Sequence, residues 1–419
     1  MKVGGIVHVP GDKSISHRAL IFAALADGTS EIADILDSAD IASTAGVLRA
    51  LDVDVPPLGA RVTIAGRGRR GLRAPSQPLD CGNSGTTARL MAGVVAGHPF
   101  AARFTGDASL SRRPMRRIAR PLEAMGARIA FAGGDGLPME VQGGTLRGIR
   151  WESETASAQV KSATLLAGLV AGVPVVVREP ARSRDHTERM LRALGAELDV
   201  VGEVVRLEPV ERLAPLTMRV PGDPSSAAYM AALAALATDG ALTVPDLCVN
   251  PTRTGFFRAL QRMGAHIDFH LGATQGGEEI GTLFAWPSKL RAMEFGAAEV
   301  PAMIDELPLL ACVAARANGT TVIRGASELR VKESDRIAAV VANLRAIGVT
   351  AEELPDGLRV TGGHAPCNGA VKTHGDHRIA MAFGVLAALP GSTIAIDDPA
   401  CVAISYPGFW DDLRAAVIA

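Results

Sequence analysis

A short apolar pattern returns six times along the chain. It consists of a leucine, two variable residues, an apolar residue, often a Gly-Ala pair, and then an alternating apolar run. It reads LRALDVDV from Leu48, LEAMGARIAF from Leu122, LRALGAELDV from Leu191, LQRMGAHIDF from Leu260, LRAIGVTAEE from Leu344 and LRAAVIA from Leu413. Successive copies lie 74, 69, 69, 84 and 69 residues apart. An apolar stretch closed by Gly reads as a helix C-terminus, and the alternation after it reads as a strand. The pattern predicts six α/β units of about 70 residues, too long for a solenoid repeat.

Small polar or charged residues stand directly in front of the Ala-rich apolar runs. These stretches are VPGDKSISHRAL from Val9, CGNSGTTARLMAGVVAG from Cys81, SAQVKSATLLAGLVAG from Ser157, PGDPSSAAYMAALAAL from Pro221, RVKESDRIAAVVANL from Arg330 and HGDHRIAMAFGVLAAL from His374. Ser, Thr, Asp and Asn at such places serve as N-caps. The free N–H groups of a helix start also bind anions, and Gly lets an anion approach the backbone. Capping alone does not ask for Lys13, Arg18, Lys332, Arg336, His377 and Arg378 there, because a helix N-terminus is already partly positive. The clusters therefore predict a site for several negative charges, to which the Arg-rich SLSRRPMRRIAR (Ser109–Arg120) can contribute. VPGDKS (Val9–Ser14) and VPGDPSS (Val220–Ser226) resemble each other and lie about three units apart. They predict hinge crossings near 9–14 and 220–226. One domain then covers 13–223, and the other covers 1–12 with 224–419, each holding three units.

Composition narrows the function classes. A chain of 419 residues exceeds one ordinary core. With 48% hydrophobic but only 4% aromatic residues, its cores must be aliphatic. The balance of 43 basic and 44 acidic side chains argues against a dedicated nucleic-acid binder. Cys81, Cys248, Cys312, Cys367 and Cys401 are scattered, which fits a reducing compartment better than a disulfide framework or zinc site. No leader pattern opens the chain, and apolar runs break before 18 residues, so a soluble cytoplasmic protein without a membrane helix is expected. GDKS lacks the Gly that a Walker loop places before its Lys, and no G-x-G-x-x-G follows the first strand. Neither G-x-S-x-G nor H-E-x-x-H occurs. HGDHR (His374–Arg378) invites a metal reading, which Arg378 opposes by its charge; no metal is expected.

PGDKSISHRAL, GNSGTTAR, TGDASLSRRPM, SAQVKSA, SRDHTE, RVKESDR and HGDHRIAM occur in this order. Together they resemble the 3-phosphoshikimate 1-carboxyvinyltransferase (EPSP synthase) family from about Val7 to Phe409. The resemblance implies a two-domain inside-out α/β barrel of six βαβαββ repeats, three per domain, with the active site in the interdomain cleft. It implies transfer of the enolpyruvyl group of phosphoenolpyruvate to the 5-hydroxyl of shikimate 3-phosphate, in chorismate biosynthesis, without metal or organic cofactor. The implied partners are these two small anions, neither nucleic acid nor membrane, and the implied state is a monomer. Lys13 is similar to the lysine that touches both substrates. Ser14, Arg18, Ser157, Ala158, Gln159, Ser183, Arg184 and Lys332 resemble the shikimate 3-phosphate contacts. Gly85, Arg113, Gln159, Arg336 and Arg378 resemble the phosphoenolpyruvate pocket, with Asn83 and Thr86 in the same loop. Asp305 resembles the base that takes the hydroxyl proton, and also contacts shikimate 3-phosphate. Glu333 resembles the proton donor to C3. Read from residues alone, the alternatives are that Asp305 caps a helix and that Glu333 is a surface helix charge.

Four positions depart from common family residues. Ala158 replaces a Ser, Glu328 an Asn and Ile404 a Lys, and Leu90 follows Arg89 where Pro is frequent. The resemblance then implies a pocket one charge lighter near the C-terminus and weaker binding of the phosphoenolpyruvate mimic glyphosate. Two rival readings are a UDP-N-acetylglucosamine enolpyruvyl transferase and an inactive anion-binding protein on the same scaffold. Against the first, Ser109–Met115 lacks the Cys usual there; against the second, binding alone needs no carboxylate pair among anions.

Overall fold

The computed structural model describes residues 1–418. The chain divides into two compact units. The first comprises Gly11–Val220 together with Thr274–Glu278; the second comprises Met1–Pro10, Pro221–Ala273 and the chain from Glu279 onward. The first unit holds helices α1 (Lys13–Leu25), α2 (Ala39–Ala50), α3 (Gly85–Ala96), α4 (Ala108–Ser111), α5 (Arg116–Met125), α6 (Ala158–Ala171) and α7 (His186–Ala193). The second holds α8 (Pro224–Leu236), α9 (Gly255–Arg262), α10 (Leu307–Ala314), α11 (Arg336–Ala346), α12 (His377–Ala387) and α13 (Phe409–Ala415).

The leucine motifs mark the ends of α2, α5, α7, α9, α11 and α13. A strand follows closely in five cases, at Arg128–Phe131, Leu198–Val201, His266–Gln275, Thr350–Leu354 and Val417–Ile418. After α2 the expected strand is missing, and the chain next pairs at Arg61–Ala65. Asp52 turns through φ 68°, and Pro56 and Pro57 remove two ladder donors. Val53 and Val55 are buried all the same. The alternation there records burial of a loop, not pairing.

Three four-stranded sheets share one plan. Residues 79–142, 149–207 and 294–361 each contain a parallel strand pair, with a helix crossing between its members, followed by two antiparallel strands. The crossing helices are α3, α6 and α10. In the first unit, small residues bring α3 and α6 into backbone contact. A methyl group at Gly93 would lie 2.2 Å from the Ala163 carbonyl oxygen. Gly97 faces Ala167 and Val170, and Gln159 meets Thr86 and Arg89, so the helices run in the same direction. Their N-termini, with both polar clusters, therefore end side by side.

The hairpin of strands His266–Gln275 and Glu278–Trp286 has a tip that packs within the first unit. There Glu278 is fully buried, its Oε1 2.8 Å from His186 Nδ1. Among the described residues, no helix is long and apolar enough to cross a membrane. All five cysteines are buried and free of disulfides.

Candidate active site

Each of the six polar clusters starts a helix, and in each a side chain caps it. Asp12, Ser84, Ser157, Asp223, Asp335 and Asp376 accept from backbone N–H groups of α1, α3, α6, α8, α11 and α12. The capping reading holds at all six starts, with acids and hydroxyls as the caps, while Lys13, Arg336, His377 and Arg378 stand in the first turns of α1, α11 and α12. Asp305 is not a cap. It sits in a short 3₁₀ turn, Ile304–Glu306, ahead of α10.

In the first unit, Lys13 opens α1 and its Nζ lies 3.0 Å from Asp40 Oδ2. One turn on, Arg18 is buried and, among the described residues, donates to neutral acceptors. Its Nε reaches Thr187 Oγ1 at 2.8 Å, Nη2 reaches Ser162 Oγ at 2.8 Å and Nη1 reaches the Ser14 carbonyl at 2.9 Å. Burial pushes its pKa down to about 10, while the Glu188 and Asp12 carboxylates act to keep it charged. Arg184 donates to Ser14 Oγ at 3.4 Å, so Ser14, Arg18 and Arg184 form one group. Ser183 lies in the same loop, buried, its hydroxyl donating to Glu179 Oε1 at 2.6 Å.

A second group surrounds the start of α3. Gln159 accepts from Arg89 Nη1 at 2.8 Å and donates to Thr86 Oγ1 at 3.0 Å. Arg113 donates to Asn83 Oδ1 at 2.5 Å, and Asn83 in turn donates to Asp107. A methyl group on Gly85 would lie 2.6 Å from Arg89 Nη1 and 3.4 Å from Arg113 Nη1. Two guanidinium groups and a helix N-terminus thus meet where the backbone carries no side chain, a geometry suited to a carboxylate or phosphate. Of the remaining arginines in the 109–120 stretch, Arg116 stacks over Phe131 and pairs with Asp135, while Arg120 pairs with Glu154. Ala158 begins α6 beside Ser157.

In the second unit, three carboxylates converge on Arg336, which is 1% exposed. Asp376 accepts from its Nε at 2.8 Å and from its Nη2 at 3.2 Å. Glu333 Oε2 is 2.7 Å from Nη2, and Asp305 Oδ1 is 3.3 Å from Nη1. Lys332 Nζ stands 3.6 Å from the same Asp305 oxygen. Burial opposes the charge on Arg336, but Asp376 and Glu333 outweigh it and raise its pKa well above the ordinary value. Arg378, also buried, is raised likewise: burial works against it, and Tyr229, Asp305, Glu306 and Asp223 work for it. In HGDHR, Asp376 is engaged by Arg336, by Ser334 Oγ at 3.0 Å and by the Arg378 backbone N–H at 3.0 Å. The acid that a metal reading would need serves a guanidinium instead. Ile404 packs against the second unit's core and brings no charge, and Leu90 is buried in α3.

Sequence reasoning passed over Arg89, Asp40, Tyr229, Asp376 as a partner of Arg336, and Lys161. The last had a readable signal. A lone Lys within the apolar run of α6 must find a buried acid, since lysines are almost never fully buried unpaired.

The family profile described as EPSP synthase (3-phosphoshikimate 1-carboxyvinyltransferase) matches residues 1–413. A 3-phosphoshikimate 1-carboxyvinyltransferase of Desulforamulus reducens is 46% identical over 422 residues, covering 100% of this chain and 98% of that one. A solved EPSP synthase of Acinetobacter baumannii superposes with a TM-score of 0.87 at 40% identity, covering 99% of this chain and 96% of the other. The enolpyruvyl transferase NikO of Streptomyces tendae, at 20% identity and a TM-score of 0.76 over 99% of this chain and 95% of its own, shares the fold.

Proposed function

The chain belongs to the EPSP synthase (3-phosphoshikimate 1-carboxyvinyltransferase) family, and from that premise we infer that it transfers the enolpyruvyl group of phosphoenolpyruvate to the 5-hydroxyl of shikimate 3-phosphate. The products are 5-enolpyruvylshikimate 3-phosphate and inorganic phosphate. The rival sugar-nucleotide reading has no support among these relatives.

The hydroxyl oxygen adds to C2 of the enol while C3 takes a proton. Phosphate then leaves C2, and C3 gives a proton back. In our reading Asp305 takes the hydroxyl proton and Glu333 delivers the proton to C3. What supports this pairing is that both carboxylates converge on the buried guanidinium of Arg336. The carboxylate of phosphoenolpyruvate competes for that guanidinium, so its arrival releases Glu333 to carry a proton. Lys13, Ser14, Arg18, Ser157, Ala158, Gln159, Ser183, Arg184, Asp305 and Lys332 are assigned to shikimate 3-phosphate. Lys13, Gly85, Arg113, Gln159, Arg336 and Arg378 are assigned to phosphoenolpyruvate. The fixed cations stabilise the charge that builds on the intermediate.

The same reading completes the architecture as an inside-out α/β barrel of six βαβαββ repeats, three in 13–223 and three in 1–12 with 224–419, hinged near 9–14 and 220–226. It takes the enzyme as a cytoplasmic monomer that needs no cofactor. The test is a phosphate-release assay with each substrate omitted in turn. Release is expected only with both present; release from phosphoenolpyruvate with UDP-N-acetylglucosamine in place of shikimate 3-phosphate would overturn the reading.

A further inference from the structure

Beneath the Ser14–Arg18–Arg184 group lies a charged cluster that no step of the reaction uses. Lys161 Nζ sits 2.7 Å from Glu179 Oε2 and 2.8 Å from Glu188 Oε1, and all three side chains are 2% exposed. Three ions removed from water cost more than their mutual attraction returns unless the geometry is good, so such clusters survive where they set a geometry. Burial would lower the pKa of Lys161, but Glu188 and Glu179 reverse this and raise it, so the cluster stays ionic.

Each member of the cluster is tied to a residue of the candidate site. Lys161 lies on α6 between Gln159 and Ser162, and Ser162 accepts from Arg18 at 2.8 Å. Glu188 lies on α7 beside Thr187, which also accepts from Arg18. Glu179 directly follows the strand Val175–Arg178, ahead of the Ser183 loop. It accepts from the Ser183 hydroxyl at 2.6 Å and from the Ser183 backbone N–H at 3.4 Å. Lys161 therefore fixes α6, α7 and the Ser183 loop at one point.

We propose that Lys161 and Glu179 are positioning residues for the shikimate 3-phosphate side of the site, with Glu179 holding Ser183 in place. This rests on the assignment of Ser183 to shikimate 3-phosphate given above. A residue that acts through Ser183 has no effect left once Ser183 is gone. A residue that merely stabilises the fold keeps its effect.

The experiment is a double-mutant cycle read as the dissociation constant for shikimate 3-phosphate, with turnover and the KM for phosphoenolpyruvate measured alongside. With its proton given to Glu179, the Ser183 oxygen can only accept, from a hydroxyl of shikimate 3-phosphate, so Ser183→Ala is expected to weaken binding about fivefold, as for loss of one neutral hydrogen bond. Glu179→Gln is expected to weaken it about as much, and the double variant no more than either single. In Glu179→Gln the phosphoenolpyruvate KM should change less than the shikimate 3-phosphate dissociation constant, because the contacts of Glu179 lie on the shikimate 3-phosphate side. Glu179→Asp keeps a buried negative charge in the cluster but withdraws it by one methylene from Ser183 and Lys161 alike, so it should weaken binding in the same direction even if Glu179→Gln does not fold. Unchanged binding in a folded Glu179 variant, or effects that multiply in the double variant, would overturn the positioning role alone. Unchanged binding in Ser183→Ala would overturn the Ser183 assignment, and the positioning role with it.

Discussion

Replacing His17 with Gln should flatten the pH dependence of stability below about pH 6.5. His17 has no exposed surface, and its Nδ1 lies 2.7 Å from Thr44 Oγ1. Thr44 lies 2.7 Å from Thr87 Oγ1, and Thr87 donates to Ser84 Oγ at 2.8 Å, so the ring begins a hydroxyl chain joining α1, α2 and the cap of α3. The other ring nitrogen, Nε2, has no hydrogen-bond partner among the described residues, and a second ring proton would find no acceptor. Burial pushes the pKa of His17 well below its ordinary value, and the Lys13 and Arg18 charges push the same way. The folded chain thus keeps the ring neutral where the unfolded chain protonates it. The unfolded state then binds one more proton, so stability rises with pH across this window and falls on acidification. The slope approaches about 1.4 kcal/mol per pH unit between about pH 6.5 and the folded value, and vanishes above about pH 7. For a unit of about 200 residues this is about 3–5 °C of melting temperature per pH unit. Thermal unfolding of the parent and His17→Gln at pH 7.5, 6.5 and 5.5 reads it directly. Between pH 6.5 and 5.5 the unfolded ring goes from half to nine-tenths protonated, worth about 1 kcal/mol, so the parent should lose about 2–4 °C more than the variant. His98, whose pKa burial also lowers, contributes to both proteins and cancels in the difference. Parallel pH profiles in the two proteins would refute the reasoning.

Asp305→Asn and Glu333→Gln should each lower turnover by about 10²-fold or more, with much smaller changes in substrate affinity; near-normal steady-state turnover in either would remove that residue from the chemistry. Gly85→Ala puts a methyl group 2.6 Å from Arg89 Nη1, the far end of a flexible side chain, so the fold should tolerate it. The anion pocket should not, and the KM for phosphoenolpyruvate is expected to rise about tenfold or more at unchanged melting temperature. Asp376→Ala strips Arg336 of two hydrogen bonds and removes the cap of α12. Its thermal unfolding should reveal a loss of about 3–5 kcal/mol, and a shift below about 1 kcal/mol would mean that Asp305 and Glu333 suffice to hold Arg336.

What could be read from the sequence was local. The helix starts at Lys13, Gly85, Ala158, Pro224, Arg336 and His377 follow from short polar caps before Ala-rich runs, and the leucine motifs locate helix ends. The run after Leu48 misled because alternating burial in a loop has the same period as a strand. The cations assigned to the proposed site stood out because a helix start does not want them. Their partners did not. Arg18 meets Ser162 and Thr187, and Arg336 meets Asp376, only because particular helices pack side by side. Glu278, in QGGEE, reads as part of a solvated turn, yet it is buried against His186. Such pairings depend on which small residues let two helices touch, as Gly93 and Ala163 do, and a single chain's pattern does not carry that information.

The central claim is the identity of the group that receives the enolpyruvyl unit. The direct measurement is a competition: phosphoenolpyruvate with equimolar shikimate 3-phosphate and UDP-N-acetylglucosamine in one vessel, with products resolved by mass spectrometry and phosphate counted in parallel. The account predicts an enolpyruvyl ether on shikimate 3-phosphate alone, formed one for one with phosphate. Enolpyruvyl transfer to the sugar nucleotide, or phosphate released without any ether, would contradict it.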